Sequence, residues 1–251
     1  MRKALPMAPR ARLPKGAVIY DGPSRFNGDR IVAILTGLRR KSANGKTGDM
    51  VQLWVMSARK DPVTASRLGL DEAGCGDCPQ RHSLLGWCYV VISQAVLAIW
   101  KKWRRGGYED WTSSFPPGLL SGRSLRASAY GEVTALPDQA IRRLLSVKWA
   151  LVTGYTHQWD QEGLQWLRGW LMASVDDPEQ KATAKALGWR TFRAGGELDL
   201  QGDEIECANE THGVTCVECG MCNGQRGLVE KSIRLQTHGT WASWNGRVNG
   251  D

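Results

Sequence analysis

Seven cysteines dominate the chemistry available to this chain, and they fall into two clusters. Cys207, Cys216, Cys219 and Cys222 form a C-x8-C-x2-C-x2-C run, with His212 and His238 in the same segment. Thiolates are soft donors, and four of them complete a tetrahedral zinc site or ligate an iron–sulfur cluster. For zinc, His238 is an alternative ligand. A closed site of this kind contributes directly to folding. The earlier trio, Cys75, Cys78 and Cys88, is spaced C-x2-C-x9-C. Three thiols leave several arrangements open. One coordination position can stay free for substrate, His82 can close a Cys3His zinc site, or the trio can share a centre with the distant cysteines. The odd count and short spacings, in a chain with no visible export signal, favour metal ligands over disulfides.

Other chemically capable residues stand where strands are expected to end. Glu132 can hold an amino group or act as a general base, or simply cap a helix. His157 is a candidate acid–base group or ligand, or a hydrogen-bonded structural residue. Asp176 and Asp177 can bind a substrate hydroxyl or serve as nucleophiles, while Asp is also the expected cap of a helix opening at Pro178. The sequence contains no Gly-x-Ser-x-Gly elbow, and its four histidines are too scattered to supply a histidine-pair metal site.

The elements that must position these groups follow from hydrophobic pattern. Strands are expected at 17–20, 30–35, 51–56, 124–129, 152–157, 171–175, 189–194, 204–207 and 232–236. Helices are expected from just after Cys88 to Arg105, from Gln139 to Trp149, over a tryptophan-rich stretch from Gln161 to Trp170, and from Pro178 to Leu187. The segment between Met56 and Cys75 reads as a polar loop. Alternating strands and helices imply an α/β fold, a (βα) barrel or partial barrel with parallel strands and functional groups at strand exits. The expected organisation is a basic arm over 1–16, a barrel-like domain over 17–200 and a cysteine-rich metal-binding segment over 201–251.

At 251 residues the chain can bury one good core. The net charge of +8 suits a polyanionic partner, nucleic acid or a nucleotide. Candidate phosphate contacts are Arg39, Arg40, Lys41 and Lys46 in a glycine-containing loop, and Lys101, Lys102, Arg104 and Arg105 at a helix end. The second group is interleaved with tryptophan, which can stack on bases. No apolar run is long enough to span a membrane. With no secretory pattern at the start, a cytoplasmic location is expected.

The order of landmarks resembles radical S-adenosylmethionine enzymes on roughly residues 50 to 195. In that family three cysteines follow the first barrel strand and hold a four-iron cluster with one open iron. Here Cys75, Cys78 and Cys88 follow the 51–56 strand, although the family spacing is C-x3-C-x2-C. The family's Gly-Gly-Glu-Pro motif, which contacts the methionine amino group, is matched in place by Tyr130-Gly131-Glu132-Val133. Its Ser-x-Asp signature is matched by Ser174-Val175-Asp176. The resemblance implies an iron–sulfur cluster and S-adenosylmethionine, with Gly131, Glu132 and Ser174 binding the cofactor. The chain also looks like a group of poorly characterised bacteriophage and mobile-element proteins. That likeness rests on Lys46-Thr47-Gly48-Asp49, Cys75-Gly76-Asp77-Cys78-Pro79, Cys88-Tyr89-Val90, Tyr155-Thr156-His157 and the final cysteines, and implies a phage or plasmid setting in a host cytoplasm. Two further readings stand beside the radical one. Cys216, Cys219, Cys222 and His238 are loosely similar to the zinc site of base-exchanging transglycosylases of the deazaguanine type. Alternatively, two structural zinc modules serve a non-enzymatic nucleic-acid-binding or replication accessory protein.

Overall fold

Five consecutive apolar residues, Ile31 to Leu35, are fully buried, which requires cover on both faces and marks a central strand. The computed structural model describes residues 13–42, 44–86, 88–196, 198–225 and 231–236. In it, β1 (Gly16–Pro23) and β2 (Arg30–Thr36) form an antiparallel hairpin. A tight turn joins them: Ser24 N–H donates to Asp29 O at 2.8 Å, and Gly28 takes the left-handed φ of 78°. β3 (Val51–Ser57) pairs antiparallel with β2. Two short helices follow, α1 (Pro62–Arg67) and α2 (Glu72–Cys75). Asp61 starts α1 by accepting from Val63 and Thr64 N–H. After the cysteine loop, a π turn over Ile92–Val96 leads into α3 (Leu97–Arg104). Then come β4 (Glu109–Asp110), β5 (Ser124–Tyr130), α4 (Asp138–Leu145) and β6 (Leu151–Thr153). The strand order is β4-β1-β2-β3-β5-β6, with β3 parallel to β5 and β1 parallel to β4.

A second sheet uses β7 (Tyr155–Thr156), β8 (Met172–Val175), β9 (Thr191–Gly195), β10 (Glu204–Glu206) and β11 (Ser232–Gln236). Its order is β10-β11-β9-β8-β7, and every adjacent pair is parallel. α5 (Pro178–Ala186) crosses between β8 and β9, and α6 (Ala208–His212) and α7 (Cys216–Cys219) precede β11. Arg193 and Arg234 stand in register on neighbouring strands, both buried. Glu204 and Asp199 resolve that like-charge contact. Arg193 holds Glu204 at 2.8 Å, and Arg234 holds Asp199 at 2.8 Å.

The chain divides into two compact units, one ending at Val152 and the other beginning at Thr153. The α/β class is as expected, but the described strands form two open sheets and not a closed barrel. The physical reason lies in β1–β3. A tight turn and antiparallel pairing join successive strands there, so the first strands lack the crossover helix that a βα repeat needs. Local differences have local causes. The tryptophan-rich stretch is a 3-10 run, Glu162–Gly169. The helical stretch after Cys88 begins only at Ile92, since the residues before it form a loop, and Gln94 inside its first turn has non-helical backbone angles. α4 ends at Leu145, and the Trp149 indole folds back to donate to Leu144 O at 2.9 Å. Among the described residues no helix is long and apolar enough to cross a membrane.

Candidate metal centres

Close backbone packing at the ends of β3 and β5 builds the first centre. Gly131 follows β5 at φ 72°, and a Cβ there would overlap Val55 O and lie 3.0 Å from Gly74 O. Only glycine permits both the backbone angle and the approach. Glu132 N–H then donates to Gly74 O at 2.7 Å, which locks α2 against the end of β5. Cys75 is the last residue of α2, and Gly76 turns the chain with φ 56°. Cys78 N–H donates to Cys75 O at 3.2 Å. The loop returns when Cys88 N–H donates to Gln80 O at 2.9 Å. Gly86 sits so close to the Gln80 backbone that a side chain would overlap it.

The three sulfurs feel one another. Burial, then Cys78, Cys88, Asp71 and Glu132, pushes the Cys75 thiol well above its usual range. Burial takes Cys88 up to about 12, with Cys78 and Asp71 adding to it and Arg126 opposing it. Burial also raises the Tyr130 phenol, which donates a hydrogen bond to Cys75. Thiols whose pKa values are raised, as those of Cys75 and Cys88 are, are donors that a bound cation would deprotonate. Glu132 is buried beside them and accepts from Thr134 Oγ1 at 3.3 Å. Cys75, Cys78, Cys88, Gly131 and Glu132 thus lie on the same loop and strand ends. His82 behaves differently: its Nε2 lies 2.9 Å from Val90 O, and a carbonyl can only accept, so that nitrogen carries a proton and donates.

Sequence reasoning missed Asp71. It is 3% exposed, Ser83 N–H donates to its Oδ2 at 3.1 Å, and its Oδ1 has no hydrogen-bond partner among the described residues. The available signal was its place four residues before Cys75, one helical turn away on the same face. Among the described residues, buried Ser83 Oγ and Arg81 Nε also lack hydrogen-bond partners.

The second unit gathers the other four cysteines. Cys207 follows β10 and donates its N–H to Arg234 O at 2.9 Å. Thr215 and Glu218 form a reciprocal capping box that starts α7, placing Cys216 and Cys219 at its two ends. Gly220, at φ 67°, closes the helix and leads to Cys222. Gly154 N–H donates to Cys222 O at 3.3 Å, just before β7. Burial raises the Cys222 thiol to about 12; Tyr155 donates a hydrogen bond to it and opposes the rise, while Cys207, Cys216 and Cys219 add to it. Arg190 is buried and donates to Asn223 O at 2.5 Å and Lys231 O at 2.7 Å, fastening this loop to the sheet. His212 lies at the end of α6, and His238 lies outside the described residues.

The remaining candidates separate into pairs and structural groups. His157 and Asp176 stand just beyond adjacent parallel strands, with Nε2 and Oδ1 4.0 Å apart. Asp177 is the cap of α5, accepting from Gln180 N–H at 2.7 Å. Ser174 lies within β8, and its carbonyl accepts from the Trp159 indole at 3.0 Å. Arg39, Arg40, Lys41 and Lys46 are exposed in the 37–50 connection. Its polar side chains are used internally: Asn44 accepts from Lys46 N–H, and Gln52 donates to Thr47 Oγ1. On α3, Arg104 lies over both Trp100 and Trp103, Lys102 lies over Tyr108, and Lys101, Arg104 and Arg105 are exposed.

Each thiol cluster is thus assembled within one unit. Among the described residues, though, no three His, Cys, Asp or Glu side chains are grouped so that they could hold one metal ion. Set beside known proteins, the chain matches no family model, no curated sequence and no solved structure.

Proposed function

We propose that the protein is an iron–sulfur enzyme of the radical S-adenosylmethionine type, acting on nucleic acid or a nucleotide precursor. The observation that carries this reading is the meeting of Cys75, Cys78 and Cys88 with Gly131-Glu132 beyond adjacent parallel strands β3 and β5. Cys75, Cys78 and Cys88 would hold the cluster. When bound, such a cluster supplies the electron for reductive cleavage of S-adenosylmethionine. Glu132, buried and fixed through its backbone to Gly74, offers a carboxylate to an amino group. Tyr130 steadies Cys75 by donating to its sulfur. The parallel β3–β5 pair on either side of the cysteine loop supports a partial-barrel layout as part of the same proposal.

Cys207, Cys216, Cys219 and Cys222 would hold a second centre. With Cys207 among the gathered thiols, a Cys3His set using His238 is not needed, which favours this reading over the transglycosylase one. The cation–aromatic face of α3 favours a nucleic-acid partner, and on its own it also suits a binding protein with two zinc modules. Anaerobic purification with iron, sulfide and zinc analysis separates these readings. The enzyme reading expects a brown protein that cleaves S-adenosylmethionine and loses that activity in Cys75→Ala. A colourless zinc protein, or cleavage retained in Cys75→Ala, overturns it.

A further inference from the structure

Three thiols leave a fourth coordination position, and the loop that carries them also carries a buried carboxylate oxygen with no hydrogen-bond partner among the described residues. Asp71 starts the turn that ends at Cys75, whose N–H donates to Asp71 O at 2.9 Å. Residues four apart in a helical turn share a face, so the two side chains leave α2 on the same side. Ser83, from the far side of the loop, fixes Oδ2 at 3.1 Å and so sets the carboxylate's orientation. The other oxygen, Oδ1, has no hydrogen-bond partner among the described residues, and the residue is 3% exposed. Desolvating a carboxylate oxygen without a partner is costly, so a native chain tolerates it where a ligand or ion relieves it. Cys78 and Cys88 are tied into the same loop, their N–H groups donating to Cys75 O at 3.2 Å and Gln80 O at 2.9 Å. His82, the alternative fourth donor, uses Nε2 on Val90 O and would have to bind through Nδ1.

We propose that Asp71 is the fourth protein donor of the first centre, binding through Oδ1 where Cys75, Cys78 and Cys88 leave a position open. This rests on the reading of the trio as a metal centre. A carboxylate is a hard donor beside three soft thiolates, and it is the one of the four that a substrate or cofactor can displace. Asp71 then guards the open position at rest and yields it on ligand binding.

The test strips the full chain of metal and reloads it with Co2+ alone. Thiolate-to-cobalt absorption scales with the number of bound sulfurs. Asp71→Cys should raise it from seven thiolates to eight, an increase of about one-seventh. Asp71→Asn keeps size and the Ser83 contact but removes the anionic donor. It should weaken Co2+ at one of two sites by about tenfold or more in chelator competition. His82→Ala should leave both readings unchanged. Cys75→Ala is the reference for the centre itself. If it releases one ion while Asp71→Asn and Asp71→Cys read as wild type, the Asp71 assignment is overturned and the centre stands. If Cys75→Ala retains the full ion count, the centre reading falls. Loss of metal in His82→Ala, with Asp71→Asn unaffected, assigns the position to His82 and also overturns the proposal.

Discussion

Thiols held as Cys88 and Cys222 are hold their protons far beyond the usual range, each to about 12. Without metal, at pH 8, only about one such thiol in ten thousand is a thiolate, so alkylation there should lag well behind a free cysteine. The same shift sets a pH dependence. The unfolded chain releases these protons near pH 9 and the folded chain keeps them, so alkali favours unfolding. Metal-free protein should lose stability from about pH 9 upward towards pH 12, and metal-loaded protein, whose thiolates are already deprotonated, should not. Denaturation midpoints across that range, with and without metal, check this. Equal alkaline slopes for the two forms would contradict it. At the same scale, the cysteines were legible because their spacing is itself the signal. Asp71 was not, because an Asp ahead of a short helix reads as a cap. Its role depends on Ser83 and Cys88 returning through a loop that local pattern does not fix.

At the scale of elements, glycine positions decide where the chemistry can stand. Gly131→Ala forces a side chain into left-handed backbone and into the Val55 carbonyl. The expected cost is about 3 kcal/mol, from backbone strain and overlap together. It should also move Glu132 away from Cys75, lowering metal retention and stability together; an alanine variant as stable as wild type would contradict the packing. In the second sheet, the buried Arg193–Glu204 pair replaces apolar packing. Glu204→Gln leaves the guanidinium with less counter-charge and should cost about 3 kcal/mol by chemical denaturation. Asp199 is held at about 2 by hydrogen bonds from Arg193 and Arg234. A depressed carboxylate contributes stability above its unfolded value near 3.8 and loses it as pH falls towards 2. Asp199→Asn should therefore flatten the acid limb of the stability profile. Strands such as β2, β3 and β5 were legible as short apolar runs bounded by turns. The arrangement was not, because antiparallel pairing of β1, β2 and β3 is settled by a turn and by contacts between strands, and the alternation of strand and helix in sequence resembles a barrel's. The 3-10 run over Glu162–Gly169 escaped for the opposite reason: its apolar spacing is helical, and only its tight turn differs.

At the scale of the molecule, a net charge of +8 and the cation-bearing aromatic face of α3 belong to one expectation. Replacing Lys101, Arg104 and Arg105 by Gln should weaken nucleic-acid binding and flatten its log–log salt dependence by about 2 to 3. Anisotropy titrations at several salt concentrations would measure both. An unchanged slope would place the contact elsewhere. The division at Val152 has a further consequence, in the timing of synthesis. A single cut separates two units, each with its own sheet and its own cysteine cluster. On the ribosome, everything that encloses Cys75, Cys78 and Cys88 emerges before Cys207 has been translated, and domains fold as units while the chain is made. The first cluster can therefore be enclosed, and its thiols sorted from the later four, before those four exist to compete for the same ion.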